Sequence, residues 1–197
     1  MRTEIEVKFL DVDHDKVRAQ LKELGGVCEL PMRLMKRAII DYPDHRLQTD
    51  KNAYIRVRDE GQKVTLTYKQ FKGQAVDSAR EIEAEVDSFE DTIKIFEAIG
   101  LKVRSFQESK RETWKLGKVE VVLDEWPWLK PYLEIEGESE AELRAAAQRL
   151  GFDWQDAVFG DVMAAYRIQY PHLTDADAVG GVPEVRFDTP LPDLFKP

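Results

Sequence analysis

Residues 63–69, Lys-Val-Thr-Leu-Thr-Tyr-Lys, alternate polar and apolar side chains without a break. Successive side chains of an extended strand point to opposite faces, so Val64, Leu66 and Tyr68 share one face while the Lys and Thr residues share the other. The stretch therefore predicts a β-strand with one apolar and one charged face.

Neighbouring segments divide in the same way. In residues 53–59 the side chains of Arg56 and Arg58 oppose Ile55 and Val57, and residues 118–124 repeat the pattern with acids. Two architectures produce such strands: an open sheet with its charged face in water, or a barrel with a charged lumen and helices over its apolar outside. The alternation by itself leaves both open.

Glu-Ile-Glu occurs three times, and each copy is followed by a polar turn, an amphipathic helix and a glycine. The three units span residues 4–25, 81–100 and 134–151. Each triplet places two carboxylates on one strand face, and we expect its Ile to pack under a helix. Exposed Glu on a half-buried strand is ordinary, but carboxylates gathered on one surface need cations opposite them.

Five further strands are predicted between these units. They lie at about residues 33–41, 53–59, 62–70, 103–115 and 118–124. With the triplets they make eight strands and at least three helices. We therefore predict an α+β fold: an eight-stranded antiparallel β-barrel, or tunnel, with a charged lumen and amphipathic helices packed outside.

Composition restricts the class of protein. The chain has 197 residues, a net charge of -9 and one cysteine, Cys28. The acidic balance argues against binding a nucleic-acid polymer, the single cysteine excludes an internal disulfide, and no apolar run suggests a membrane span. We expect a cytoplasmic protein with a tunnel domain at residues 1–170. Residues 171–197 are rich in Pro and Gly and are predicted to be a tail or loosely packed extension, in which Leu191, Leu194 and Phe195 could dock on the body or on a partner.

The alternation gives a set of lumen-facing charges. The candidate acids are Glu4, Glu6, Glu81, Glu83, Asp124, Glu134 and Glu136, and the candidate bases are Lys8, Arg37, Arg56, Arg58, Lys69 and Arg111. Carboxylates without imidazole or thiolate suit a hard cation such as Mg²⁺ or Mn²⁺. Arg and Lys in number suit phosphate oxygens, so the combination indicates a metal–phosphate site.

The order of these motifs resembles the CYTH superfamily, also called triphosphate tunnel metalloenzymes, which includes class IV adenylate cyclases and thiamine triphosphatases. Glu4-Ile5-Glu6-Val7-Lys8 matches the E-x-E-x-K motif that opens the family. The later pieces are Arg56-Val57-Arg58, Thr65-Leu66-Thr67-Tyr68-Lys69, Arg80-Glu81-Ile82-Glu83, Arg111-Glu112-Thr113-Trp114, Asp124 and Glu134-Ile135-Glu136. The resemblance extends over about residues 1–170.

The resemblance implies an eight-stranded tunnel that holds a triphosphate. It assigns metal binding to Glu4, Glu6, Asp124, Glu134 and Glu136, and triphosphate binding to Lys8, Arg37, Arg56, Arg58, Lys69 and Arg111. Lys8, Arg58, Glu83 and Arg111 are the expected catalytic positions. The middle acid position of the family corresponds to Glu81 or Glu83. The cation assigned to Arg37 could instead be Arg33 or Lys36, depending on how the strand is aligned with the family.

Some positions depart from the family. Ser109 stands where many relatives carry Lys on the strand that ends at Trp114, and Lys110 has the wrong parity to replace it. A Lys that some thiamine triphosphatases use near the C-terminus has no match, which weakens a thiamine assignment. Trp126 and Trp128 could stack on a base at the tunnel mouth or pack around a Pro-rich turn.

Three functions are compatible with these residues. The favoured one is a metal-dependent hydrolase of inorganic triphosphate or of a nucleoside or other organic triphosphate. The alternatives are a class IV adenylate cyclase that makes cyclic AMP and pyrophosphate, and a non-catalytic polyphosphate- or nucleotide-binding module. The expected partner is thus a small triphosphate, with no nucleic-acid polymer and no membrane, and a homodimer is possible.

Overall fold

A computed structural model describes residues 2–71, 79–174 and 179–196, with side chains for residues 5–70, 80–174 and 179–196. In chain order the strands are β1 (Arg2–Glu4), β2 (Glu6–Leu10), β3 (Val27–Asp41), β4 (Ala53–Asp59), β5 (Val64–Phe71), β6 (Ala79–Val86), β7 (Lys102–Leu116), β8 (Val119–Glu125), β9 (Tyr132–Glu136) and β10 (Glu184–Val185). The α-helices are α1 (His14–Glu23), α2 (Arg46–Lys51), α3 (Phe89–Ala98), α4 (Glu140–Arg149) and α5 (Val162–Gln169).

Nine of the strands form one sheet in the order β1-β6-β5-β4-β3-β7-β8-β9-β2, and every neighbouring pair on this path is antiparallel. The two end strands, β1 and β2, are consecutive in the chain and meet at Ile5. The sheet therefore curls round until both of its edges lie on the same stretch of chain, and among the described residues no ladder joins β1 to β2. The predicted α+β antiparallel fold is confirmed, as a curled barrel whose first predicted strand is split in two.

Two apolar clusters cover the outside of this sheet. α1 and α4 pack on one side through Val17, Leu21 and Leu143, and α3 packs on another through Ile93. These helices begin at side-chain caps: the carboxylate of Asp13 and the hydroxyls of Ser88 and Ser139 accept hydrogen bonds from backbone N–H groups in the first turn. The three predicted helices are confirmed.

The packing of the Glu-Ile-Glu triplets differs from the expectation at one of them. Ile135 is completely buried and Ile5 packs against the same cluster, but Ile82 is 57% exposed. The prediction that each Ile packs under a helix is therefore wrong for Ile82, because no helix of the described chain covers that part of β6.

Two helices and one strand were not predicted. α2 is short and α5 follows the third repeat unit, where Asp161 caps it by accepting a hydrogen bond from the N–H of Met163. β10 lies beyond residue 170 and pairs in parallel with β7. No helix in the described part of the chain has both the length and the apolar character needed to cross a membrane.

The described part of the C-terminal segment, residues 171–174 and 179–196, packs on the barrel. Phe195 is 1% exposed and lies against Trp128, Tyr166 and Tyr170. Leu191 and Leu194 join the same cluster. Of the two docking partners expected for these residues, the structure shows the body of the same chain.

Candidate active site

A cavity of about 490 Å³ lies inside the curled sheet. Its side walls are mainly the polar faces of the strands, because the apolar faces are turned outward to the helices. All of the predicted lumen cations line it, namely Lys8, Arg37, Arg56, Arg58, Lys69 and Arg111. The predicted acids that line it are Glu6, Glu81, Glu83, Glu134 and Glu136.

The central cations come from β3 and β4. Arg37 and Arg58 are opposite each other in the ladder, and Arg56 lies two residues away on the same face. Burial, together with repulsion from Arg56, Arg58 and Arg111, lowers the pKa of Arg37 to about 9. Burial and repulsion from Arg56 and Arg111 likewise lower the pKa of Arg58 to about 10.

These guanidinium groups have donor capacity that the protein does not use. The Nε–H groups of Arg37 and Arg58 are buried and have no hydrogen-bond partner among the described residues. A buried donor without a partner is costly, and a phosphate oxygen would satisfy it. These buried donors could therefore hydrogen-bond an anion.

An acidic cluster, formed by Glu6, Glu134 and Glu136, lies on β2 and β9. One carboxylate oxygen from each residue lies within 4.8 Å of the others. Glu6 and Glu136 face each other directly in the β2–β9 ladder, which brings the first and third triplets together. Oxygens bound to one Mg²⁺ at about 2.1 Å lie roughly 3–4 Å apart, so the cluster fits a divalent cation after small side-chain movements.

Lys8 and Arg111 form ion pairs with the acidic cluster. The Lys8 ammonium is 2.5 Å from Glu6 and 3.2 Å from Glu134, and it donates a third hydrogen bond to the carbonyl of Gly160. Burial alone would lower the pKa of Lys8, but the charges of Glu134 and Glu6 outweigh it and raise that pKa. Burial would raise the pKa of Glu134, but Lys8 and Arg111 lower it to about 2, so its carboxylate is ionised at neutral pH.

Asp124 lies apart from the cluster. It is completely buried and accepts two hydrogen bonds from Arg111, whose guanidinium also contacts Glu134 at 2.7 Å. Of the five residues predicted to bind metal, the structure brings Glu6, Glu134 and Glu136 together and connects Asp124 to them through Arg111. Glu4 belongs to β1, but its side chain lies outside the described residues.

The middle triplet faces the same cavity. Glu81 lies 3.0 Å from Lys69, and Glu83 lies 3.8 Å from Arg56 and accepts a hydrogen bond from the hydroxyl of Thr67. Both acids contact a phosphate-binding candidate. Orientation therefore does not distinguish Glu81 from Glu83 as the middle acid of the site, because both side chains line the cavity.

Of the three alternative cations on β3, Arg33, Lys36 and Arg37, two line the cavity. Arg33 and Arg37 have the same parity on β3 and both line the cavity, whereas Lys36 is exposed. Sequence reasoning thus missed Arg33 as an additional lumen cation, although the i, i+4 spacing within a strand would have identified it. Ser109, where relatives carry Lys, is completely buried and accepts a hydrogen bond of 2.6 Å from Arg37.

Trp126 and Trp128 have different environments. Trp126 lines the cavity, and the Arg37 guanidinium lies 4.4 Å from the centre of its ring. Trp128 packs on Phe195 and donates its indole N–H to the carbonyl of Thr189. Trp128 is thus a packing residue, while Trp126 forms part of the cavity wall.

The fold and the site together define an α+β protein in which a curled antiparallel sheet encloses a cavity lined by opposed cations and carboxylates. The family can now be stated. The chain belongs to the CYTH domain family, whose domain matches residues 2–154. No curated protein sequence matches it.

Solved structures share the fold. A Pyrococcus horikoshii protein is 25% identical, with a TM-score of 0.65 over 78% of this chain and 93% of its own. A candidate adenylate cyclase from Vibrio parahaemolyticus is 16% identical, with a TM-score of 0.70 over 82% and 96%. A candidate adenylyl cyclase from Hippeastrum, described as revealing a dominant triphosphatase activity, is 14% identical, with a TM-score of 0.58 over 89% and 98%.

Proposed function

We propose that this protein is a divalent-metal-dependent hydrolase of triphosphates. The observation that carries the proposal is the presence, in one cavity, of a row of buried cations and a cluster of three carboxylates. Phosphoryl transfer needs positioning and neutralisation of charge more than covalent participation of the protein. Both kinds of group are present within one small volume.

The cations would bind the phosphate chain. Arg37, Arg56 and Arg58 project from adjacent strands, and their guanidinium groups can each donate two parallel hydrogen bonds to phosphate oxygens. Lys69 lies across the β4–β5 ladder from Tyr54, on the same face as Arg56. These four side chains would neutralise the substrate and fix its orientation.

Glu6, Glu134 and Glu136 would hold Mg²⁺ or Mn²⁺. When bound, the ion would act as a Lewis acid on the phosphate oxygens and lower the pKa of a nucleophilic water. Lys8 and Arg111 would keep these carboxylates in place and neutralise part of their charge, with Asp124 orienting Arg111. In this proposal Lys8 contributes through the carboxylates, because its contacts are with Glu6, Glu134 and Gly160.

A class IV adenylate cyclase remains the alternative. In that reaction the ribose 3′-hydroxyl would attack the α-phosphorus of ATP and pyrophosphate would leave, with nearly the same residues in use. The local sequence around Arg111–Trp114 and Asp124–Pro127 resembles chains assigned as such cyclases. A non-catalytic binding module is supported less well, because phosphate binding alone would not require the acidic cluster.

Product analysis separates these functions. ATP or inorganic tripolyphosphate is incubated with the protein and Mg²⁺ or Mn²⁺, and phosphate, pyrophosphate and cyclic AMP are measured by mass spectrometry. A hydrolase releases phosphate or pyrophosphate without cyclic AMP. Cyclic AMP as the main product would contradict the proposal and support the cyclase, and tight binding without turnover would support the binding module.

A further inference from the structure

The C-terminal segment reaches the cavity, although it lies beyond the part of the chain that matches the CYTH domain. β10 pairs with β7, the hydroxyl of Ser105 donates to the carbonyl of Val182 at 2.5 Å, and the N–H of Phe106 donates to the carbonyl of Pro183. These bonds hold the start of the segment against β7. As a result Val179 and Gly180 line the cavity.

Val179 belongs to an apolar end wall, which comprises Trp126, Tyr132, Val162, Met163 and Val179. These residues pack in one cluster and all of them line the cavity. The N–H of Val179 donates to the sulfur of Met163, which joins the C-terminal segment to α5. This wall carries no charged side chain, and its side chains offer only the Tyr132 hydroxyl and the Trp126 indole N–H as hydrogen-bond donors, so the phosphate chain is expected to stop before it.

The charged residues beside the apolar end wall also indicate that the phosphate chain ends there. Arg37 lies against Trp126, so the central cations extend as far as the wall. Asp161, which caps α5, also lines the cavity, and its carboxylate would repel a further phosphate. An uncharged or cationic group with apolar surface would be accepted in the same place.

The wall also leaves space. A Cβ atom built on Gly180 would have no heavy atom of the described residues within 4 Å, so within the described structure this residue borders open volume. The same is true of Gly181, which is not part of the described cavity lining. Neither glycine has the positive φ that would strain a substituted residue, and the pair therefore offers a test variant and a matched control.

We propose that Val179 and Gly180 complete a specificity subsite, with the apolar end wall, for the organic group of an organic triphosphate. The inference rests on the proposed function and adds to it the position of the non-phosphate group. The C-terminal segment thereby determines which triphosphates are used. Inorganic triphosphate, which has no organic group, does not depend on this subsite.

The test compares Gly180→Leu with Gly181→Leu in the full chain. Steady-state kinetics are measured with Mg²⁺ for ATP, thiamine triphosphate and inorganic tripolyphosphate, which sample an uncharged, a cationic and no organic group. Filling a small apolar site with a methylene or more changes discrimination by about 10-fold or more. We expect Gly180→Leu to raise KM for the better organic substrate by at least that factor and to leave KM for tripolyphosphate within roughly 2-fold, while Gly181→Leu changes neither.

Several results would overturn the subsite. They are an equal effect of Gly180→Leu on organic and inorganic substrates, an equal effect of the two glycine variants, and an unaltered protein that hydrolyses tripolyphosphate but neither organic triphosphate. If Gly180→Leu lowers the melting temperature, Gly180→Ala must show a smaller shift of the same selectivity. If no triphosphate is hydrolysed, the proposed function fails. The subsite is then tested by titration calorimetry, in which Gly180→Leu must raise the dissociation constant of the organic triphosphate but not that of tripolyphosphate.

Discussion

Arg37 illustrates a side chain whose surroundings favour a bound anion over the empty site. It is buried, repelled by neighbouring guanidinium groups and supported by Ser109 and Trp126. An anion would relieve the repulsion and satisfy the Nε–H group that has no partner in the described protein. Residues selected for binding in this way commonly reduce the stability of the unliganded fold.

The Arg37→Met substitution should therefore separate stability from binding. We expect the melting temperature to change by no more than about 3 °C, because relief of repulsion offsets the lost bond to Ser109. Affinity for tripolyphosphate with Mg²⁺ should fall roughly 10- to 100-fold, as for a lost charge-assisted hydrogen bond. Calorimetry and thermal melting measure the two quantities.

Lys36→Met is the matched control, since Lys36 is the preceding residue of β3 and is exposed. It should leave both quantities unchanged. A large loss of stability in Arg37→Met with unaltered affinity would show that Arg37 serves the fold and not the ligand.

Glu136 tests the metal assignment at the same scale. Its carboxylate shares the acidic cluster with Glu6 and Glu134, and its side chain is only partly buried. Glu136→Gln should therefore weaken Mn²⁺ binding, measured by calorimetry, by at least about 10-fold and lower kcat by about 100-fold, with little loss of stability. Glu97→Gln, on the exposed face of α3, is the control. Full activity and unchanged Mn²⁺ affinity in Glu136→Gln would refute the metal assignment.

The element that the sequence describes least well is the C-terminal segment. Its composition suggests a tail, yet Phe195 is inserted between aromatic rings of α5 and the β8–β9 connection. Phe187, in the same segment, is 38% exposed and contacts the Lys110 ammonium. The two residues provide a direct measure of how firmly the segment is attached.

Phe195→Ala should lower the free energy of unfolding by about 3–5 kcal/mol, as expected for a fully buried phenyl ring. Phe187→Ala should change it by no more than about 1 kcal/mol. Chemical denaturation followed by tryptophan fluorescence gives both values. Similar small losses in the two variants would mean that the segment contributes little to the folded state.

On the scale of the whole molecule, a protein of net charge -9 encloses a cavity whose lining carries both a row of cations and a cluster of carboxylates. A triphosphate entering without metal would meet the acidic cluster as well as the cations, so metal and substrate should bind in support of each other. Binding to the folded state alone raises stability by RT ln(1 + L/Kd), where L is the concentration of free ligand.

We therefore expect tripolyphosphate with Mg²⁺, at 100 times its Kd, to stabilise the fold by about 2.7 kcal/mol. For a chain of this size that corresponds to a rise in melting temperature of roughly 5–10 °C. The rise should be much smaller in EDTA, and sulfate at the same ionic strength is the control. An equal rise in melting temperature with and without Mg²⁺ would show that metal binding at the acidic cluster does not contribute to triphosphate binding.

Much of the barrel could be predicted because alternation is a local property. The parity of residues 53–59 and 63–69 fixes which side chains share a face, and it placed Arg56, Arg58 and Lys69 on the charged face, which lines the cavity in the structure. The family motifs then distinguished a barrel from an open sheet. Helix α2 could not be predicted in this way, because it has six residues and its first-turn N–H groups bond to the carboxylate of Asp41, several residues before it, rather than to its N-cap residue His45.

The sequence by itself determined the faces of the strands, the three helices α1, α3 and α4 that pack on them, and most of the charged set, with Arg33 missed. Only the tertiary structure decided which charges meet. The pairing of β2 with β9 unites Glu6 with Glu136, while Asp124 is engaged by Arg111 and the C-terminal segment turns back to line the cavity. The reason is physical: side-chain direction is set within a few residues of chain, but ladder register and docking depend on contacts between segments far apart in sequence.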